Sequence, residues 1–544
     1  MGEPRIVIVG AGMSGLCMGV LLKRAGLRDF TVYEKGGSAG GTWRDNTYPG
    51  LTCDVPSRFY QFTFAPNPGW TRLYSPGAEI RAYLDRVADA HGLREHIVFG
   101  AEVTGAEHRA GRWHVAVAGP GGAATADEAD FLVTATGVLH HPRLPEIPGL
   151  DSFAGPCFHS ARWDHSADPR GRRVAVVGTG STGVQITTAL AGTAGRLLLF
   201  QRTAQWILPT PNRRYGRLTR AAHRALPRLD RLGYRWYEFL ISAVLSRALV
   251  RDGWQRRLIG RLVRRNLAKV RDPDLRRRLT PPDEPMCKRL IASDGFYDAV
   301  QRDDVDVVTS PIDHVEPRGI VTADGTLHEA DVLVLATGFD AHAYVRPMTV
   351  TGPDGRTLED AWADGPRAYR TVALPGFPNF FMLMGPHSPI GNYSLIAIAE
   401  AQAAYILGWI RRHRAGLVKT AAPTAEATDR FNDALRRAPP HHLDVRLREL
   451  VPRPGRAART VALDAARPRP DAEGARPPRL RDDLTAGPVR RNPSGRARPA
   501  EPVRQSPSAS GVSGVRRAPG PTGGWRPARA PAPPRPAAGA GTCW

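Results

Sequence analysis

The sequence predicts an α/β protein with two Rossmann-like dinucleotide-binding domains, a helical insertion in the second, and a disordered C-terminal tail. Three observations predict this. A strand–glycine turn–helix–strand pattern starts at Arg5 and again at Arg173, a long stretch repeats Arg and Leu at helical spacing, and the composition changes near residue 438. Two such patterns in one chain call for two doubly wound parallel sheets.

The first pattern opens with a strand over 5–9, then Gly10-Ala11-Gly12-Met13-Ser14-Gly15, a helix over 16–25 and a strand over 30–33. Gly10 permits the tight turn, Gly12 lets the backbone approach a pyrophosphate, and Gly15 lets helix and strand pack closely. Amides at the helix N-terminus then face the anion. Glu34 ends the next strand, where its carboxylate can accept hydrogen bonds from ribose hydroxyls.

The second pattern has a strand over 174–177, Gly178-Thr179-Gly180-Ser181-Thr182-Gly183, a helix over 184–190 and a strand over 197–200. Its second strand leads into Gln201-Arg202-Thr203 rather than an acid. A carboxylate there would repel a 2′-phosphate, whereas Arg202 can hold one by charge-assisted bonds. One acid-ended and one Arg-ended site point to FAD plus NADPH, a pairing that moves a hydride to flavin.

Strands over 131–136 and 332–337 end in Ala135-Thr136-Gly137 and Ala336-Thr337-Gly338, the expected crossings into and out of the second domain. This divides the chain into a first FAD part (1–140), a linker (141–172), an NADPH domain (173–335) with a helical insertion at 213–280, a second FAD part (336–437) and a tail (438–544). The Arg content of the insertion reads as a solvated helix face, with a basic docking surface as the alternative.

The net charge of +23 over 544 residues invites a nucleic-acid reading. Its distribution argues against one, because residues 438–544 hold 20 Arg, no Lys and 8 acids. That segment also holds 20 of the 49 prolines, so it lacks the apolar content to offset its ordering entropy. Cys17, Cys53, Cys157, Cys287 and Cys543 are scattered, with no Cys-x-x-Cys pair. A metal site is not expected, and a reducing, cytoplasmic setting is. Acidic Glu3 argues against a signal peptide, and the longest apolar run, 239–250, is too short and broken to span a membrane.

Two further stretches resemble type I Baeyer–Villiger monooxygenases, a group of class B flavoprotein monooxygenases. Phe153-Ala154-Gly155 through His159 to Trp163-Asp164 fits the pattern F-x-G-x-x-x-H-x-x-x-W-[P/D]. Gly40-Gly41-Thr42-Trp43 through Tyr48-Pro49-Gly50 to Asp54 fits the companion pattern around the flavin. The resemblance covers residues 3 to 437. It implies FAD-site positions at Ser14, Glu34, Gly41, Thr42, Trp43, Asp54, Tyr60 and Val103, with Met384 near the flavin pyrimidine and a helix following Gly391-Asn392. It implies NADP-site positions at 178–185, including Gln185, and at Arg202-Thr203. In Met286-Cys287-Lys288-Arg289, Lys288 would help hold the 2′-phosphate. Arg289, oriented by Asp54, would be the catalytic cation that stabilises a flavin C4a-peroxide and the oxyanion formed at a ketone carbonyl. Phe153, Gly155, His159, Trp163 and Asp164 would form a linker coupling domain motion to catalysis, not a base. The expected partners are a small-molecule ketone and O2. N- or S-oxygenation of soft nucleophiles is the alternative, Trp163-Asp164 and Arg289 favouring the ketone; a damaged nucleotide-binding pseudoenzyme is another.

The resemblance stops after Arg437. Family members continue with a Ser-Gly-Cys-x-Ser-Trp-Tyr-like run, whereas this chain has His442 to Pro452. One codon assignment for that segment, read one base on, gives Thr-Trp-Thr-Ser-Gly-Cys-Ala-Ser-Trp-Tyr. A reading-frame shift near 437 is therefore expected to account for the Arg- and Pro-rich tail.

Overall fold

The computed structural model describes residues 2–250, 252–388 and 393–437. The expectations for Gly391-Asn392 and for the tail from residue 438 lie outside these. Ten strands build two sheets. In chain order they are β1 (Ile6–Val9), β2 (Phe30–Glu34), β3 (Ile97–Phe99), β4 (Phe131–Thr134), β5 (Cys157–His159), β6 (Arg173–Val177), β7 (Arg196–Phe200), β8 (Val305–Val308), β9 (Val332–Leu335) and β10 (Phe380–Met382). The first sheet runs β10-β4-β1-β2-β3 and the second β8-β7-β6-β9-β5, every pair parallel. Strands covered on both faces need apolar residues throughout, and Ile6–Val9, Phe131–Thr134 and Val332–Leu335 are buried at each position.

Each glycine turn feeds a helix: α1 (Met13–Arg24) and α2 (Ser181–Leu190). Both begin inside the glycine sequence, three residues before the expected start. The reason is steric. A Cβ on Gly15 would lie 1.9 Å from the Gly10 carbonyl oxygen, and one on Gly183 would lie 2.0 Å from that of Gly178. The first helical turn therefore sits directly on the strand end, which only glycine allows.

Hairpins that the sequence reading did not assign flank both sheets. Strands at Glu102–Arg109, Arg112–Ala118 and Ala124–Ala129 form an antiparallel meander beside the first sheet, joined by Thr349–Thr351. A smaller meander, 312–329, accompanies the second.

The insertion leaves the second sheet after β7. It contains α3 (Arg217–Ala225), α4 (Pro227–Leu240) running on through a π-turn to residue 250, α5 (Trp254–Leu267), and a short helix at Pro273–Arg278. Its two ends are clasped by a parallel pair, Ile207–Pro209 with Ile291–Ser293. A buried ion cluster fixes it to the first half of the chain. Arg58 pairs with Asp230 of α4, His223 of α3 lies within hydrogen-bond distance of both, and the Arg58 guanidinium stacks over Tyr215. Arg58 and Asp230 are buried, so each charge depends on its partner.

α6 (Leu395–Arg414) packs on α1 and carries two polar side chains on an otherwise apolar face. Glu400 accepts hydrogen bonds from the Thr63 amide and hydroxyl, both 2.8 Å. Burial outweighs these bonds and raises its pKa to about 7. Gln402, 2% exposed, accepts from the Met384 amide at 3.0 Å and donates to the hydroxyls of Thr371 and Ser388. Met384, Arg370, Thr371 and His387 all adopt positive φ, and Gln402 ties two of these strained positions together.

Two predictions follow from α6. The folded pKa of Glu400 lies above its unfolded value, so the folded state holds the proton more tightly. Its contribution is fully present below about pH 4.5 and lost as pH rises through about 7. Glu400→Gln, which keeps the Thr63 bonds, should flatten the fall in melting temperature across that window, equivalent to roughly 3 kcal/mol. Gln402→Leu should destabilise the fold by ~3 kcal/mol by orphaning three buried partners, and thermal unfolding should show it.

Candidate nucleotide and oxygen-transfer site

A single cavity lies along the C-terminal edge of the first sheet and reaches the start of α2. Its lining includes Gly10, Gly12, Ser14, Glu34, Gly41, Thr42, Trp43, Asp54, Tyr60, Val103 and Met384 from the first half of the chain. Ser181, Thr182, Gln185 and Arg289 close it from the second. The cavity thus gathers most of the FAD-site residues expected from sequence, together with Arg289, the expected catalytic cation, and the first turn of the second glycine helix.

The glycine turns have the form a pyrophosphate requires. Gly10 (φ +103°) and Gly178 (φ +112°) hold conformations that L side chains rarely adopt. A Cβ on Gly12 would face only Gly41 at 3.7 Å, and one on Gly180 would meet nothing within 4 Å. The chain's own packing does not demand glycine at these two positions. An approaching phosphate does. Neither α1 nor α2 has an acid in its first turn or a side chain capping its N-terminus, so the leading amides are left to an anion.

Glu34 is buried and held on both oxygens. It accepts from the Ala11 amide at 2.8 Å, from the Gly36 amide at 2.8 Å and from Arg44 at 2.7 Å. These bonds aim it across the glycine turn, the place a ribose would occupy. Arg44 is a partner the sequence reading missed; its guanidinium lies against Gly36.

The segment 40–54 reaches from the first fold to α2. Tyr48 donates to Gln185 at 3.0 Å, Gln185 donates to the Thr52 carbonyl at 3.1 Å, and a Cβ on Gly50 would strike the Gln185 carbonyl at 2.6 Å. Burial raises the Tyr48 phenol to about 12, so it remains a neutral donor. Tyr60 accepts from the Trp43 indole at 3.2 Å and is likewise pushed up by burial. Burial also raises the Cys53 thiol. Neither supplies an anion at neutral pH.

Arg289 forms an ion pair with Asp54. It comes from the loop that ends the insertion, whereas Asp54 ends the 40–54 segment, so the pair crosses between the two halves. Its guanidinium is half exposed toward the cavity and close enough to act on Cys53 and Tyr60. Lys288 points elsewhere and pairs with Asp283. Arg202 is exposed beyond β7, and Thr203 accepts a bond from Thr179 of the second glycine turn at 2.9 Å.

The expected linker residues form no helix. His159 ends β5 and caps a short 3-10 turn, its Nδ1 accepting from the Ala161 amide at 3.1 Å. Its Nε2 lies 2.9 Å from the Gly338 carbonyl, and burial lowers its pKa. It is therefore a neutral, saturated imidazole. Trp163 packs edge-on against Phe158, Asp164 holds the turn to Ser166, Phe153 is in the core, and a Cβ on Gly155 would hit the Asp331 carbonyl at 2.4 Å. The two crossings lie side by side: Arg143 donates to Gly338 at 2.9 Å and Thr337 to Arg143 at 2.6 Å. His140, also unpredicted, lines the cavity; it contacts the Tyr344 carbonyl at 2.8 Å, and burial lowers it to about 4.

Among the described residues no cluster of His, Cys, Asp or Glu could hold a metal ion, and no helix is long and apolar enough to cross a membrane.

Comparison with known proteins agrees with this geometry. Residues 3–346 match the flavin-binding monooxygenase-like family. The chain is 56% identical over 438 residues to an uncharacterised monooxygenase of Mycobacterium tuberculosis, covering 80% of this chain and 88% of that protein. It is 42% identical over 413 residues to a Baeyer–Villiger monooxygenase of Streptomyces coelicolor, covering 75% and 78%. The open crystal structure of cyclohexanone monooxygenase superposes with a TM-score of 0.72 at 30% identity, covering 83% of this chain and 98% of that one. The paired glycine cradles and the cavity between them are thus those of a known lineage: this chain belongs to the flavin-binding monooxygenase-like family and is an FAD- and NADPH-dependent monooxygenase of the Baeyer–Villiger type.

Proposed function

We propose that this monooxygenase inserts one oxygen atom of O2 beside a ketone carbonyl, giving an ester or lactone, while NADPH supplies the two electrons that reduce the second oxygen atom to water. The observation that carries this reading is Arg289, a permanent cation facing the flavin-side cavity and paired with Asp54. Attack on a carbonyl places negative charge on oxygen twice, first on the attacking species and then on the former carbonyl. A guanidinium stabilises both and cannot release its proton to neutralise the attacking anion. Transfer to nitrogen or sulfur needs no such cation.

When bound, FAD supplies the electron store and the activation of O2. The residues of this chain would hold and orient it. Gly10, Gly12 and the amides of α1 would carry its pyrophosphate, Glu34 its ribose, and Trp43, Tyr60 and Met384 would shape the ring pocket. Gly178, Gly180 and the amides of α2 would carry the NADPH pyrophosphate, with Arg202 and Lys288 on the 2′-phosphate. The Lys288 ammonium would leave Asp283 to do so. Asp54 would fix the orientation of Arg289 without itself moving a proton.

Product analysis with a cyclic ketone and a thioether tests the reaction. The proposal predicts lactone as the main product, and sulfoxide without lactone overturns it. Arg289→Ala should lower lactone formation by ~10²–10³-fold while NADPH still bleaches the flavin. Arg202→Gln should raise the KM for NADPH by ~tenfold or more and leave that for NADH unchanged, which steady-state kinetics with both nucleotides would show.

A further inference from the structure

The helical insertion concentrates charge that the site does not use. Residues 213–280 contain 20 basic and 5 acidic side chains, a net of +15, while the rest of residues 1–437 is net −4. The insertion's carboxylates are engaged away from the outward arginines of α4. Asp230 pairs with Arg58, Glu238 bonds the Tyr393 hydroxyl, Asp252 pairs with Arg256, Asp272 caps a helix and Asp274 pairs with Arg277. The outward arginines of α4, Arg228, Arg231 and Arg235, are left facing solvent.

The same outward face is apolar. Leu232 (65% exposed), Trp236 (57%) and Phe239 (62%) follow one another at intervals of four and three along α4, and Leu240 (40%) lies four residues past Trp236. α5 repeats the arrangement, with Trp254, Leu258 and Leu262 exposed at i, i+4 and i+8 beside exposed Arg257, Arg261 and Arg265. A solvated helix puts its apolar residues inward. Here Ile259 and Val263 of α5 already fill that role, so the outward Trp and Leu are a second apolar stripe.

We propose that this face of the insertion docks on an anionic phospholipid bilayer. Trp, Phe and Leu would enter the headgroup–acyl boundary while Arg binds lipid phosphates. Other occupants match less well. A second copy would bring +15 against +15, and the segment 438–544 is itself net +12. A nucleic acid would satisfy the arginines but offer nothing to Leu232, Leu258 or Leu262. Docking would also bring the cavity to the membrane. Tyr234 of α4 packs edge-on against Phe59, Phe59 packs against Tyr393, and Tyr393 lines the cavity wall. The inference does not depend on which acceptor receives the oxygen.

Co-sedimentation of the full-length FAD-loaded enzyme with vesicles tests this. Vesicles of phosphatidylcholine mixed with phosphatidylglycerol should bind it at least ~tenfold more tightly than phosphatidylcholine alone. Trp236→Ser/Phe239→Ser keeps every charge and should lower that binding by ~tenfold or more. Arg231→Gln/Arg235→Gln, which keeps both aromatics, should do the same. Basal NADPH oxidation should be unchanged in both variants. The basic segment 438–544 is present in every protein compared, so it cannot produce the differences between wild type and the variants. Equal vesicle binding by wild type and the aromatic variant overturns the proposal. So does a dimer that the aromatic substitution dissolves, or preference for duplex DNA over anionic vesicles.

Discussion

The ion pair between Arg289 and Asp54 joins what the chain keeps separate. Asp54 belongs to a loop of the first nucleotide fold, and Arg289 arrives 235 residues later, after the second fold has begun and the helical insertion has been traversed. A cation held by only one half would wander with every rearrangement. Held by a carboxylate of the other half, it faces the cavity in a fixed direction. Electrostatic stabilisation depends on that preorganisation, because a charge that must reorient during reaction loses much of its effect.

The seam around the pair follows the same logic. Tyr48, Gln185 and Thr52 bond across it, and Gly50 is there because any side chain would strike α2. Arg58 and Asp230, with His223 beside both, anchor the insertion from behind with two charges too buried to separate cheaply. His159 ties β5 to the outgoing crossing at Gly338. A neutral imidazole with both nitrogens engaged is suited to transmitting position, and its depressed pKa keeps it so near neutral pH.

Much of this was legible in the sequence because it follows from local rules. Gly10, Gly15, Gly178 and Gly183 announce two strand-to-helix turns, since close backbone approach excludes every other residue there. Glu34 and Arg202 sit at strand ends whose position is set by period alone. The helical insertion was readable from spacing, but not which of its faces turns outward, since its two apolar stripes look alike in a linear pattern. Arg58, Arg44, Gln402 and Glu400 were not legible. Each acts through a partner distant in sequence, and only folding reveals that Gln402 lies beneath Met384 or that Arg58 meets Asp230. That His159 of the linker ends a parallel strand was not legible either, since it needs the register of β5 against β9.

The central claim is that a guanidinium from the second half reaches the flavin ring of the first. A crystal structure of this enzyme with FAD and NADP+ bound tests it most directly. The account predicts the Arg289 guanidinium within hydrogen-bonding reach of the oxygen-reacting edge of the isoalloxazine or of the nicotinamide stacked beside it, with Asp54 still at its back. A flavin ring bound in the cavity with Arg289 turned to bulk solvent, and another cation in its place, would contradict it.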